Sequence, residues 1–186
     1  WTFYLRRAYW SDGETCDAHD FQFVSRRIMT PATMAQYASF LYLIKNAEAV
    51  NKGELPPERL GATAVDSRTL EIQLEHPAPY LPQLLKHYTT YPIPKHVNER
   101  VGDDWTKPAN IVVNGAFTLR RWWSNYIVHL SRNPLFWDNA NVELQDLYFY
   151  PTNDVNAAAR RVMSRECGWS TRFPSNQVEE LREELP

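Results

Sequence analysis

Two periodicities organise the chain, and the period of two is clearest in residues 114–139, NGAFTLRRWWSNYIVHLSRNPLFWDN. Phe117 and Leu119 alternate with Thr118 and Arg120. After the break at Ser124-Asn125, Tyr126, Val128 and Leu130 alternate with Ile127, His129 and Ser131. That pattern predicts a half-buried antiparallel strand pair. Asn114-Gly115 predicts a tight entry turn, because glycine tolerates positive φ. Asn133-Pro134 ends the second strand, and Phe136 and Trp137 follow as apolar anchors. Adjacent strand residues face opposite sides. One of Trp122 and Trp123 is therefore expected in the core, with the other exposed or covered by a further lobe, and packing is the role expected of the pair.

The remaining elements follow in order. Residues 2–6 read as a strand, and Trp10-Ser11-Asp12-Gly13 as a turn. Asp17 caps a helix over residues 18–29, with Asp20 placed to complete a capping box and Phe21, Val24 and Ile28 as its apolar stripe. Pro31 ends it. A second helix is expected over residues 36–51, closed by Lys52-Gly53. After the Leu55-Pro56-Pro57 linker, a hairpin is expected over residues 62–65 and 69–74. A short helix over 80–87, a stiff Tyr91-Pro92-Ile93-Pro94 segment and a helix over 95–101 come next. Residues 103–111 read as loop. Beyond the opening hairpin lie a strand near 142–150, a helix over 154–163, a strand near 167–170 and a helix over 175–184 with Val178 and Leu181 inward. Strands and helices mix without strict βαβ alternation, so the fold class is α+β, or a mixed α/β lobe pair.

Composition narrows the function classes. The 186 residues suffice for one domain or two small lobes. A net charge of −2 gives no electrostatic case for nucleic acid. No apolar run approaches the roughly 20 residues of a membrane span. Seven Trp and ten Tyr are enough both for a core and for lining a groove, since each has an apolar body and a polar tip. The strand-like opening at Trp1, without an initiator Met or signal-peptide pattern, is expected of a fragment or a processed product. Cys16 and Cys167 could pair, but the plainer expectation is two free thiols.

Sequence motifs for catalysis are missing. The five histidines (His19, His76, His87, His96, His129) show no HxxxH or HExxH spacing, and no metal or cofactor is expected. There is no GxSxG and no glycine-rich phosphate loop. Arg26-Arg27, Arg120-Arg121 and Arg160-Arg161 are too dispersed for a nucleic-acid stripe. The chain is not expected to be an enzyme.

Three stretches carry a family resemblance. WTFYLRRAYWSDGETCDAHDF resembles the strand, turn and helix start of the dipeptide/oligopeptide class of bacterial extracellular solute-binding proteins. YASFLYLIKNAEAVNKGELPPERLGATAVDSRTLEIQLEHPAPYLPQLLKH and YPIPKHVNERVGDDWTKPANIVVNGAFTLRRWW are similar to its oligopeptide- and murein-peptide-binding branches. The resemblance runs co-linearly over nearly the whole chain. It implies part of a type II periplasmic-binding-protein fold: most of the small lobe in residues 1–91, with an entering strand at 1–6, a crossing at 92–95, and part of the first lobe in 96–186. It implies a periplasmic or lipid-anchored receptor that captures oligopeptides for the permease of an ABC importer. Family members are far longer, so half a cleft is expected here, with exposed apolar surface through which the piece could self-associate.

Carried over by position, Tyr37 matches a cleft tyrosine and His87 a histidine beside a side-chain pocket. Ser170, Thr171 and Arg172 fall where the first lobe faces the ligand. Arg165-Glu166-Cys167-Gly168 stands where the family has a Gly-Glu-Ile-Asp-like run, a departure that leaves the register of the following residues open. Plain structural roles also stay open: Tyr37 as a helix-start packing residue, His87 as a helix C-terminal cap, Arg172 as a surface charge. The alternative readings are a non-peptide ligand in the same family (a nickel complex, haem or sugar) and a non-catalytic interaction domain.

Overall fold

A computed structural model describes residues 1–175 and Arg182. Its elements run β1 (Thr2–Tyr4), α1 (Ala18–Met29), α2 (Ala47–Asn51), β2 (Ala62–Asp66), β3 (Thr69–Ile72), α3 (Leu81–Leu84), α4 (Lys95–Val101), β4 (Phe117–Trp123), β5 (Ile127–Arg132), β6 (Asp146–Phe149) and α5 (Val155–Met163), joined by loops and short 3-10 turns. The strands make two three-stranded sheets, ordered β1-β3-β2 and β4-β5-β6. Helices and strands interleave in an α+β arrangement, as the patterning predicts. No helix among the described residues is long and apolar enough to cross a membrane.

The chain divides into two compact units. One comprises Trp1–Thr118 and Ser131–Gln145, the other Leu119–Leu130 and Asp146–Pro186. The first holds a continuous apolar core built from α1, the segments flanking α2, and the inner face of the β1-β3-β2 sheet. Val24, Ile28 and Met29 of α1 are buried in it. In the second unit Ala159 of α5 is buried. There His129 Nε2 and Asp146 Oδ1 lie 2.7 Å apart across β5 and β6, and the His129 ring stacks on Tyr148.

α1 forms where the sequence places it, and its capping box is complete: Asp17 accepts from the His19 amide while the Asp20 carboxylate accepts from the Asp17 amide. Asp20 does more than close the box. Its Oδ2 also accepts from the Trp10 indole at 3.0 Å, and its Oδ1 accepts from the Lys95 amide at 3.1 Å. The carboxylate is 5% exposed. It thereby ties the Trp10 turn, the start of α1 and the start of α4 to one point.

Several expectations are corrected. The helix over residues 36–51 is absent. In its place stand a 3-10 turn, Ala38–Leu41, an extended step, and the short α2 after Asn46 at φ 63°. The backbone of residues 43–45 is already committed to the sheet. Glu75 N donates to Leu43 O, Lys45 N to Gln73 O, and Gly61 N to Lys45 O, and Ile44 bridges Leu74. Those pairings bury Leu43 and Ile44 and override a helical apolar pattern.

The helix over 80–87 shortens to α3, and His87 is not its C-cap: it is the N-cap of the next 3-10 turn, Tyr88–Thr90. Around the hairpin, Gly115 is not among the positive-φ residues, and the left-handed position falls at Asn125, φ 58°. The entry turn is held instead by Asn133, which is buried. Its Nδ2 donates to Gly115 O, its amide to Ala116 O, and its Oδ1 accepts from the Leu135 amide. Trp122 and Trp123 are 54% and 52% exposed, so neither is a core residue. Finally, residues 167–170 form no strand. Arg165 takes φ 59° and the Cys167 amide returns to Arg161 O, a helix ending that turns the chain away from extended pairing. Of the helix expected over 175–184, only Ser175 and Arg182 are among the described residues.

Both cysteines are free thiols. Burial, and then the Asp20 carboxylate, push the Cys16 thiol up from 9.0 to about 12, against the hydrogen bond it accepts from Asn114. The folded state therefore holds this proton more tightly than the unfolded chain does. The resulting stability is present below about pH 9 and is lost as pH rises towards about 12. At about pH 8, iodoacetamide is expected to label Cys167 and to leave Cys16 unmodified until denaturant is added. Equal labelling of both in the native state would contradict this burial.

Candidate ligand-binding site

Tyr37 and His87 are separated by fifty residues of chain, yet the first unit brings their rings to 5.0 Å, edge to face. Two 3-10 turns do this. In a 3-10 turn, residues three apart eclipse. Ala38 and Leu41 form such a pair and are both buried, which fixes the Ala38–Leu41 turn on the core. Tyr37 and Phe40 form the other eclipsed pair and face outward, with rings 5.3 Å apart.

The opposing turn, Tyr88–Thr90, follows α3, whose Leu81 is fully buried. His87 Nδ1 accepts weakly from the Thr89 amide at 3.4 Å, and the Thr90 hydroxyl donates to the carbonyls of Leu85 and His87. The His87 ring lies 5.4 Å from Phe40 and 4.2 Å from Tyr88, and Tyr88 stands perpendicular to Tyr37 at 6.0 Å. The hydrogen bond with the Tyr37 side chain holds the Tyr88 phenol above the ordinary tyrosine pKa, with smaller contributions from desolvation and the Tyr37 charge.

Four rings thus form one cluster. Tyr37 and His87 are half-buried, whereas Phe40 is 46% and Tyr88 63% exposed. Such a surface offers π-faces, one imidazole and two phenol hydroxyls. It can pack an apolar or aromatic group and hydrogen-bond a polar one. Phe40 and Tyr88 were not legible as site residues. Phe40 reads as part of a helical apolar stripe that the sheet pairing abolishes. The only available signal was the spacing of Tyr37-Ala38-Ser39-Phe40, which suits a 3-10 turn as well as a helix.

Ser170, Thr171 and Arg172 belong to the second unit. The Ser170 hydroxyl donates to Arg172 O at 2.8 Å and accepts from the Arg172 amide at 3.3 Å, closing a local turn. Thr171 and Arg172 are exposed, as is the neighbouring Trp169. Among the described residues, no three His, Cys, Asp or Glu side chains converge as metal ligands would.

The family model described as "Bacterial extracellular solute-binding proteins, family 5 Middle" matches residues 1–185. The chain belongs to this family. It is 38% identical over 190 residues to the periplasmic oligopeptide-binding protein OppA of Salmonella typhimurium, covering 100% of this chain and 35% of that protein. It is 37% identical to the periplasmic murein peptide-binding protein MppA of Escherichia coli, again over 100% of this chain and 35% of the relative. Among solved structures, Haemophilus influenzae OppA in complex with RPPGFSPFR superposes with a TM-score of 0.95 at 35% identity, covering 100% of this chain and 37% of that one. The chain thus spans about a third of the length of these family 5 relatives, and its α+β arrangement is part of their fold.

Proposed function

We propose that this family 5 chain is part of a solute-binding receptor that captures oligopeptides in the periplasm and delivers them to the permease of an ABC importer. The observation that carries the reading is the end-to-end likeness to oligopeptide-binding relatives, one of them solved with a bound nonapeptide. In this reading residues 1–91 contribute to the small lobe, 92–95 to the crossing and 96–186 to the first lobe. Tyr37 and His87 contact the ligand from the small lobe, and Ser170, Thr171 and Arg172 from the first. The exposed aromatic cluster supports the first pair. The ligand is taken in extended form through its main chain, so that binding is tolerant of sequence.

A ligand that binds only the folded state raises the apparent stability by mass action. The full-length protein is expected to show a raised melting temperature with a mixture of tri- to pentapeptides, and none with free amino acids. Equal melting temperatures with and without every peptide would overturn the reading.

A further inference from the structure

Asn114 is the one asparagine of the chain followed by glycine. Neither residue lies in a helix or strand, and Gly115 is exposed, with open space where a Cβ would stand. Among the described residues the Gly115 amide donates to no acceptor. The main chain is held one step on instead, where the buried Asn133 donates to the carbonyls of Gly115 and Ala116. The Asn114 carboxamide is half-buried, and its Nδ2 donates to a weak acceptor, Cys16 Sγ, at 3.4 Å. An uncommitted amide nitrogen, with no side chain on its own residue to crowd it, thus follows a carboxamide tethered to a thiol.

We propose that Asn114-Gly115 is a modification site, at which Asn114 deamidates spontaneously through a cyclic imide and alters the junction it touches. The Gly115 nitrogen gives up its proton and attacks Asn114 Cγ. The Cγ–Nδ2 bond breaks and ammonia leaves with that proton. Water then opens the imide at one carbonyl or the other, leaving aspartate or isoaspartate at 114. No electrons are gained or lost, and water is the co-reactant.

Either product is felt in the fold. A carboxylate at 114 faces the Cys16 thiol in place of a donor, where the Asp20 and Asp17 carboxylates already act. Like charges brought together disfavour one another, and Asp20 is the carboxylate that ties the Trp10 turn, α1 and α4 to one point. Isoaspartate also routes the main chain through the side-chain carbonyl. That lengthens it by a methylene just before the two carbonyls that Asn133 holds.

The test incubates the folded full-length protein in mildly alkaline buffer. Its peptides are then mapped by mass and by methyl transfer from an isoaspartate-directed carboxyl methyltransferase. Asn114 is expected to react at least about tenfold faster than Asn125, which is exposed at the hairpin tip but followed by Tyr126. Gly115→Ala, whose added methyl meets nothing within 4 Å, is expected to slow the reaction at 114 by about tenfold. The modified fraction, separated by its added negative charge, is expected to unfold at a lower denaturant concentration than the unmodified one. Asn114 intact in the folded protein but converted in the denatured one, equal rates at Asn114 and Asn125, or an unchanged rate in Gly115→Ala would each overturn the site. Equal unfolding midpoints for the two fractions would overturn its effect on the junction.

Discussion

Asp20→Ala is expected to destabilise the first unit by about 3–4 kcal/mol, read as a fall in the denaturant midpoint at unchanged slope. The carboxylate accepts from the Trp10 indole, the Asp17 amide and the Lys95 amide while 5% exposed. Alanine leaves three donors facing a site too enclosed for free hydration, and each unsatisfied buried donor costs about 1–3 kcal/mol, only partly relieved by relaxation. It also removes half of a capping box, worth about 1 kcal/mol by itself. Asp20→Asn retains one carbonyl acceptor but turns an amide donor towards the other donors, so it is expected to cost about 2 kcal/mol. His19→Ala, one residue earlier on the exposed side of α1, is expected to change stability by less than about 0.5 kcal/mol. A loss for Asp20→Ala no larger than that of His19→Ala would show that the three segments are not held through this carboxylate.

Gly61→Ala is expected to cost about 2–3 kcal/mol although it adds one methyl group. A Cβ at this position would stand 2.7 Å from Lys45 Cβ, 2.9 Å from Gln73 O and 3.2 Å from Lys45 N. The neighbours cannot retreat cheaply, because the Gly61 amide donates to Lys45 O at 2.8 Å and the Gly61 carbonyl accepts from the Gln73 amide at 2.7 Å. Relief would break the junction that carries the Leu43–Lys45 step into the sheet. Gly115→Ala meets nothing within 4 Å and is expected to be neutral to within about 0.5 kcal/mol. Equal midpoints for the two variants would contradict the close approach at Gly61.

The same junction explains what the sequence could and could not reveal. α1, α4, α5 and the hairpins were legible because their turns and apolar spacing are local: Asp17 caps α1 as expected, and α5 follows Asp154, whose side chain accepts from the Asn156 and Ala157 amides. Residues 36–51 were not, because Leu43, Ile44 and Lys45 take their structure from Gln73, Leu74 and Gly61, partners far along the chain. Local spacing at Leu41, Ile44 and Ala47 suits a helix equally well. The exposure of Trp122 and Trp123 shows a second limit, since alternation names two faces of a strand without saying whether either is covered.

The candidate site was legible in part. Likeness to the family singled out Tyr37 and His87, and folding brings their rings together. Phe40 and Tyr88 join them only through two 3-10 turns, Ala38–Leu41 and Tyr88–Thr90, that no motif marks as supports of a site.

The central claim is that this chain supplies part of the peptide-contacting surface of a family 5 receptor, with Tyr37 and His87 on that surface. Calorimetric titration of the full-length protein with short peptides, compared with the Tyr37→Ala, His87→Ala double variant, tests it most directly. The account predicts saturable one-to-one binding in the unaltered protein and binding at least about tenfold weaker in the variant, with its unfolding midpoint retained. Undiminished affinity in a folded variant, or no heat of binding with any peptide, would contradict it.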